Sequence, residues 1–138
     1  DRLFGQNGGD IVVGGQGDDR LYGQGGDDTL LGGSGDDRIF AGLGNDSVAG
    51  GAGDDRIFLG SGDDVLVFAN GGGRDRVYGF GQGDQIAFDI EGIETFTDVL
   101  AFASGSRGRT EFEFDDVTTL TVYGLDAHTL TEDQFLFT

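Results

Sequence analysis

The chain has no cysteine, proline, methionine, tryptophan or lysine among its 138 residues. Without cysteine it can form no disulfide, no thiolate zinc site and no cysteine nucleophile. Without lysine it cannot supply the phosphate-binding residue of a P-loop, and without proline it does not match collagen. Its one histidine, His128, is not part of an HExxH motif. These absences predict a non-catalytic module, although an enzyme domain can lie upstream in the parent protein.

Basic residues are also scarce: eight arginines against 26 acidic residues give a net charge of -18 at pH 7. Such a chain repels nucleic acid and anionic membranes, so neither is an expected partner. No apolar run approaches the ~20 residues that span a bilayer, and no N-terminal signal peptide is recognisable. Twelve phenylalanines and 36% hydrophobic residues nevertheless indicate a folded chain, provided that something neutralises its charge.

Glycine marks a repeat in the first part of the chain, because 25 of the 29 glycines lie in residues 1–83. A nine-residue period runs from Gly5 to Val67 and resumes at Asn70 after a two-residue insertion. A degenerate ninth copy follows at Gly79. The chain begins within a copy, DRLF, so we expect it to come from a longer array.

Three of the nine places are almost invariant. The fourth is glycine in eight copies, the sixth is aspartate in all nine, and the eighth is always Val, Leu or Ile. Because glycine tolerates positive φ, the pattern GGxGxD predicts a tight loop with converging carbonyls and one anionic oxygen from the aspartate. The last three places predict a short strand whose central aliphatic side chain faces inward.

A second period doubles the first. Alternate copies have arginine at place seven and an aromatic residue at place nine, whereas the copies between them do not. The structural unit is therefore 18 residues, which predicts a coil with two parallel sheets, an aliphatic column between them and a row of loops along each edge. The alternate copies carry Arg2, Arg20, Arg38, Arg56 and Arg76, with Phe4, Tyr22, Phe40, Phe58 and Tyr78.

Along each edge of such a coil the sixth-place carboxylates lie one strand spacing apart, ~4.8 Å. Unit charges at that distance repel by ~3 kcal/mol at an effective dielectric of ~20, so the stack requires cations between its loops. Carboxylate and carbonyl oxygens favour Ca²⁺ over transition metals, and Mg²⁺ fits less well because it demands a strict octahedron. The alternative, a solvated acidic loop, does not require a fixed aspartate column. An EF-hand is excluded because its D-x-[DN]-x-[DN]-G order is absent.

The copies resemble GGxGxDxUx, the calcium-binding nonapeptide of RTX (hemolysin-type) proteins, over residues 1–87. The resemblance implies a right-handed parallel β-roll with two nonapeptides per turn and Ca²⁺ between loops one full turn apart. In the family, one loop donates the carbonyls of places two and four and the carboxylate of place six. The loop 18 residues later adds places one, three and six.

Carried onto this sequence, the resemblance implies six or seven Ca²⁺ ions. The seventh site is less regular because Gln82 replaces the fourth-place glycine. Asp1 would complete only a partial site with Asp19. The implied ligand sets are Gly15, Gly17 and Asp19 with Gly32, Ser34 and Asp37; Gly33, Gly35 and Asp37 with Gly50, Ala52 and Asp55; Gln6, Gly8 and Asp10 with Gly23, Gly25 and Asp28; Gln24, Gly26 and Asp28 with Ala41, Leu43 and Asp46; Gly42, Gly44 and Asp46 with Leu59, Ser61 and Asp64; Gly51, Gly53 and Asp55 with Asn70, Gly72 and Asp75; and Gly60, Gly62 and Asp64 with Gly79, Gly81 and Asp84.

Residues 88–138 are predicted to form a β-rich region that caps the roll, so the whole chain is classed as all-β. The pattern predicts a strand at 86–90, a short helix at 95–103 and a hairpin joining 111–115 to 119–123. The tail LTEDQFLFT resembles the uncleaved C-terminal signals of type I-secreted RTX proteins. Alternatively, its aromatic residues simply pack the final strand, and both interpretations can hold.

The outer faces of the two sheets allow further interpretations. Arginine beside aromatic residues is typical of a stabilising cross-strand ladder, but it also suits an anionic polysaccharide. The apolar opposite face is expected to pack on residues 88–138 or on a neighbouring domain; its residues are Ile11, Val13, Leu31, Val65 and Val67. We therefore expect a secreted bacterial calcium-binding module that folds outside the cell and supports type I secretion and an upstream domain. The alternative function is polysaccharide binding or adhesion through the arginine–aromatic face.

Overall fold

The computed structural model describes residues 1–69 and 71–137. It contains one α-helix, α1 (Phe96–Phe102), and a short 3-10 helix, Glu132–Gln134. Within the described ranges no helix has the length and apolar character needed to cross a membrane. The strands are β1 (Arg2–Asn7), β2 (Ile11–Gln16), β3 (Arg20–Gly25), β4 (Thr29–Ser34), β5 (Arg38–Leu43), β6 (Ser47–Ala52), β7 (Arg56–Ser61), β8 (Val65–Ala69), β9 (Arg74–Tyr78), β10 (Gln85–Asp89), β11 (Ala103–Ser106), β12 (Arg109–Glu113), β13 (Thr119–Tyr123) and β14 (Phe135–Leu136).

The strands of the repeat alternate between two parallel sheets. Odd-numbered strands β1 to β9 are neighbours in one sheet, and even-numbered strands β2 to β10 are neighbours in the other. Up to β8, paired residues are one 18-residue unit apart, as in Arg2 with Arg20 and Leu30 with Val48. The pairs of β7 with β9 and of β8 with β10 are 20 residues apart because of the two-residue insertion. The predicted β-roll with two nonapeptides per turn is confirmed, and it has about five turns.

The strands of the repeat are longer than predicted. The pattern predicted strand only at places seven to nine, whereas β3 to β7 each continue through the first three places of the next copy. The reason is that the backbone ladder persists across glycines, as the pairing of Gly15 with Gly33 shows. The turns are therefore confined to places four to six.

Eighth-place side chains form the core between the sheets, where Leu21, Leu30 and Ile39 are fully buried. Because successive residues of a strand face opposite sides, the sixth place and the first place of the next copy face the same interior. Ala41 and Leu59, which are first-place residues, are accordingly buried as well. The interior of the coil is thus aliphatic at its centre and carries aspartates along its edges.

The residues beyond β10 extend both sheets. Strand β13 pairs in parallel with β9 and forms the predicted hairpin with β12, while β14 pairs with β10. The predicted short helix is present as α1, which begins with a reciprocal cap between Thr95 and Asp98. Phe88, Phe112 and Phe135 pack together and close this end of the core.

The outer face of the six-stranded sheet is left open at the N-terminal end of the roll. Ile11 is 77% exposed, Val13 50% and Leu31 40%. The expectation that residues 88–138 cover these side chains is wrong, because those residues lengthen the sheets edge to edge instead of folding back over the face. Packing of this face on a neighbouring domain stays a prediction.

Aromatic side chains stack along the outer face of the eight-stranded sheet. The rings of Phe4, Tyr22, Phe40, Phe58 and Tyr78 follow one another at centroid distances of 4.7–5.0 Å. Tyr123 of β13 adds a sixth ring, 4.7 Å from Tyr78 and tilted by only 3°. The stack therefore joins the C-terminal hairpin to the roll.

Candidate metal centre

The sixth-place aspartates form a row inside each edge of the roll. Their side chains face inward because place six has the same strand parity as the buried place eight. One edge carries Asp19, Asp37, Asp55 and Asp75, and the opposite edge carries Asp10, Asp28, Asp46, Asp64 and Asp84. All except the half-buried Asp10 are at most 4% exposed.

The sixth-place aspartates of successive turns are joined by a hydrogen-bonded ladder, which we call the inner ladder. In seven of them the backbone N–H donates to Oδ1 of the aspartate one turn later. Asp19 N donates to Asp37 Oδ1 at 2.7 Å, and Asp37 N to Asp55 Oδ1 at 2.8 Å. The same bond joins Asp10 to Asp28, Asp28 to Asp46, Asp46 to Asp64, Asp55 to Asp75 and Asp64 to Asp84.

The other oxygen has no hydrogen-bond partner among the described residues in six of these carboxylates. These are Oδ2 of Asp10, Asp19, Asp28, Asp37, Asp46 and Asp55, all of them buried. A buried acceptor without a partner costs about 1–3 kcal/mol, and more when it is charged. The arrangement therefore calls for a positively charged partner beside each Oδ2 atom.

A first-place carbonyl oxygen lies near several of these Oδ2 atoms. A Cβ built on Gly14 would lie 2.8 Å from Asp19 Oδ2 and would also contact the carbonyl oxygen of Gly32. The carboxylate and the first-place carbonyl of one predicted site are thus brought to the same small space. Carboxylate and carbonyl oxygens are the hard donors that Ca²⁺ prefers, so the residues present fit a bound calcium ion.

The predicted second- and fourth-place donors stack directly on their counterparts one turn away. Both places have positive φ, for example 103° at Gly15 and 96° at Gly17. A Cβ on Gly33 would collide with the carbonyl oxygen of Gly15, and one on Gly35 with that of Gly17. Close backbone contact therefore disfavours side chains at these places.

The predicted third-place carbonyls have a second role. The Gly17 N–H donates to the carbonyl oxygen of Ser34 at 2.7 Å. A carbonyl oxygen has two lone pairs, so such a bond leaves one for a cation. The other third-place carbonyls bonded in this way are those of Gly25, Leu43, Ala52, Ser61 and Gly72.

The two ends of the array differ from its middle. Asp84 Oδ2 accepts the Gly81 N–H at 2.8 Å, so the predicted seventh site lacks the free oxygen of the inner turns. Asn70 lies outside the described residues, and its predicted role has no structural account. The side chain of Asp1 is exposed, and its backbone nitrogen contacts Asp19 Oδ1 at 2.5 Å.

A second ladder, which we call the outer ladder, was not predicted. Oδ1 of a fifth-place residue accepts the N–H of the fifth-place residue one turn later, as in Asp18 from Asp36 at 3.0 Å and Asp36 from Asp54 at 2.9 Å. It runs in the opposite direction to the inner ladder. The available sequence signal was a run of six copies with Asp or Asn at place five: Asp18, Asp27, Asp36, Asn45, Asp54 and Asp63.

Burial raises the pKa of three carboxyl groups far above the usual range: to about 7 at Asp55, about 6 at Asp64 and about 8 at Asp75. Loss of water is the main cause, and the ladder hydrogen bond offsets it only in part. Nearby carboxylates raise these pKa values further. Burial also raises the pKa of Asp37, Asp46 and Asp84.

Three solved structures share this fold. The AlgE6R2 subunit of the Azotobacter vinelandii mannuronan C5-epimerase is 26% identical with a TM-score of 0.71, over 91% of each chain. The AlgE6R3 subunit of that epimerase is 25% identical with a TM-score of 0.56, over 95% of this chain and 79% of its own. The extracellular lipase LipA of Serratia marcescens is 17% identical with a TM-score of 0.56; the alignment covers all of this chain but 40% of the lipase. No curated protein sequence matches the chain.

Stacked turns with inward aspartates and converging carbonyls define a calcium-binding parallel β-roll. The sequence profile of the RTX calcium-binding nonapeptide repeat matches residues 4–39 and 31–66. Residues 4–66 of this chain are therefore RTX (hemolysin-type) nonapeptide repeats.

Replacing Asp37 by asparagine should remove about two calcium ions, because this carboxylate belongs to two predicted sites. At ~1 mM Ca²⁺ and a site Kd of ~10⁻⁴ M, the loss should lower the free energy of unfolding by about 3 kcal/mol. The amide oxygen can still accept the ladder hydrogen bond. Equilibrium dialysis gives the ion count, and urea denaturation gives the stability. Asp36→Asn, in the exposed outer ladder, is the matched control and should keep every ion; equal losses in both variants would contradict the assignment.

Metal-depleted protein should be more folded at about pH 5 than at about pH 8. A carboxyl whose pKa rises on folding contributes stability that is complete below its unfolded value of about 3.9. That stability is lost as the pH rises through the folded values, here about 6 to 8. Far-UV circular dichroism of protein freed of divalent cations measures the change. The Asp75→Asn variant should show a smaller change between the two pH values. If the unmutated chain is equally unfolded at both pH values, the expectation is refuted.

Proposed function

We propose that this module is a calcium-dependent folding unit of a secreted protein. The observation that carries the proposal is the set of six buried Oδ2 atoms that have no hydrogen-bond partner in the part of the chain the structure describes, arranged in rows of like charge. Neighbouring carboxylates at ~4.8 Å repel by ~3 kcal/mol, and cations bound between the turns offset that repulsion along a whole edge. The proposed ligands are the aspartates and carbonyls of the seven sets given above, with Ca²⁺ as the ion.

The binding energy proposed here is large enough to control folding. With a Kd of ~10⁻⁴ M and ~1 mM Ca²⁺, each site stabilises the folded state by ~1.4 kcal/mol. Six or seven sites together contribute ~8–10 kcal/mol, which matches the net stability of a typical domain. At sub-micromolar Ca²⁺ the contribution is close to zero, while the entropy cost of ordering 25 glycines remains. The chain is thus unfolded inside the cell and folded outside it.

Export and support of an upstream domain complete the proposal. We assign residues 1–87 to the calcium-binding roll and residues 88–138 to the cap with its type I secretion signal. Phe135 is 4% exposed and lies in β14, so the tail also belongs to the fold. The similarity to an extracellular lipase of which this chain spans 40% supports both secretion and a larger parent protein.

A calcium titration followed by far-UV circular dichroism tests the folding proposal. Starting from chelated protein, a cooperative coil-to-β transition is expected between ~0.1 and 1 mM Ca²⁺. Mg²⁺ at the same concentrations is the control and should give little β-structure, because it holds its waters and demands an octahedral site. A β-sheet spectrum that persists unchanged in chelator would show that the roll folds without metal.

The arginine–aromatic face supports a second function, the binding of an anionic polysaccharide. Among the described residues, the guanidinium groups of Arg20, Arg38 and Arg56 form no ion pair, although they lie along one line on the sheet. Most ring faces are covered by neighbouring rings, so charge rather than sugar stacking would provide the affinity. Two similar structures are subunits of a mannuronan epimerase, which is consistent with this second function.

Binding to acidic glycans in saturating Ca²⁺ tests this second function. The double variant Arg20→Ala/Arg38→Ala should lose most binding to polyuronate while its circular dichroism spectrum stays unchanged. Arg107→Ala, in the loop between β11 and β12, removes one exposed arginine away from this face and is the charge control. If the unmutated chain binds no acidic glycan, polysaccharide binding is excluded.

A further inference from the structure

The two edges of the roll differ in the first two places of their turns. In turns 14–19, 32–37 and 50–55 both places are glycine, and we call this the glycine edge. In turns 5–10, 23–28, 41–46 and 59–64 one of the two places is not glycine, and we call this the substituted edge. Its substitutions in these four turns are Gln6, Gln24, Ala41 and Leu59, and the last turn of each edge also departs from glycine, at Asn70 on the glycine edge and at Phe80 on the substituted edge.

Second-place substitutions force a side chain into a backbone conformation made for glycine. Gln6 and Gln24 have φ of 84° and 80°, and among the described residues they are the only non-glycine residues with positive φ. This conformation is unfavourable for a residue with a Cβ. At the same place on the glycine edge, a Cβ on Gly33 or Gly51 would collide with the carbonyl oxygen one turn back. That oxygen is a proposed ligand, so Gln24, which has the turn of Gln6 before it, disturbs a ligand position as well as its own turn.

A side chain at the first place brings its Cβ into contact with proposed ligand atoms inside the roll. A Cβ on Gly14 would lie 2.8 Å from Asp19 Oδ2, and a Cβ on Gly32 would contact Asp37 Oδ2 and the carbonyl oxygen of Gly50. Both kinds of oxygen are proposed calcium ligands. Ala41 and Leu59 carry a real Cβ at the equivalent place and are fully buried, so their turns must shift to admit it.

The arginines, unlike the substitutions, disfavour cation binding at the glycine edge. On the glycine edge Asp19, Asp37 and Asp55 are each followed by arginine, whereas no arginine follows the aspartates of the substituted edge. Long-range attraction of cations therefore favours the substituted edge. These arginines are at least partly exposed, and salt screens exposed charges within ~10 Å at 0.1 M ionic strength. Ligand geometry acts at contact distance and is not screened, so it decides the order of binding.

We propose that the roll binds calcium in two classes of sites, one for each edge. The glycine edge binds more tightly and orders first, and the substituted edge fills at roughly tenfold higher free Ca²⁺. The inference rests on the proposed calcium-dependent folding and adds an order of filling to it. The four substitutions then act as affinity-setting residues that widen the calcium range over which the module becomes ordered.

Calorimetric calcium titration combined with equilibrium dialysis tests the order of filling. The unmutated chain should show two phases, with two or three ions in the first. The double variant Gln24→Gly/Ala41→Gly should move the second phase to lower Ca²⁺ and narrow the roughly tenfold gap. Gly32→Ala, the reverse change on the glycine edge, should move ions from the first phase to the second.

Asn45→Gly is the matched control, because it also adds a glycine to a turn of the substituted edge but removes an exposed, uncharged fifth-place side chain that belongs to none of the proposed ligand sets. It should leave both phases in place, which separates site geometry from the entropy of the unfolded chain. If the titration shows only one binding phase, and if the other variants change its midpoint no more than the control does, the two-class inference is overturned. Calcium-dependent folding would still stand. A first phase that moves with Gln24→Gly/Ala41→Gly also overturns it, because the substituted edge would then fill first. If the unmutated chain binds no calcium at all, the proposed function itself is refuted.

Discussion

Repulsion between like charges held inside the coil is the constraint on which the rest of this structure depends. Seven sixth-place aspartates donate their backbone N–H to the carboxylate one turn later, and their own carboxyl groups face the interior of the coil. The same residues thus stabilise the ladder and destabilise the metal-free fold. Because these carboxyl groups are buried beside one another, the pKa values of Asp55, Asp64 and Asp75 are raised. A cation bound between the turns would resolve this conflict, because it would turn the repulsive row into a shared set of ligands.

Much of the fold was predictable because the same local choice is repeated many times. A single GGxGxD segment would be a weak signal, whereas nine copies in register gave the 18-residue turn, both parallel sheets and the inward aspartate column. The strand lengths were not predictable from residue preferences, because glycine disfavours strand. In the structure the backbone ladder continues across Gly15 and Gly33 regardless of that preference. Backbone pairing repeated in every turn outweighs the low strand preference of the individual glycines.

Two other features escaped prediction because they depend on contacts between turns. The outer ladder requires knowing that a fifth-place carboxylate accepts from the following turn, and sequence does not show the direction of a hydrogen bond. The open face at Ile11 and Val13 depends on whether the C-terminal strands cover a sheet or extend it. Both arrangements bury phenylalanine, so composition alone could not distinguish them. The carbonyl ligands were assigned through the family pattern, and the structure adds that the third-place carbonyls also accept an N–H.

The insertion of Phe68 and Ala69 leaves the inner ladder unbroken. The bonds from Asp55 to Asp75 and from Asp64 to Asp84 span 20 residues instead of 18, yet they measure 3.0 and 2.9 Å. Phe68 is 2% exposed and fills the interior, so the extra length is absorbed in the arc of chain between turns. An arc of this roll can therefore be lengthened without loss of the inner ladder, provided that successive turns remain stacked.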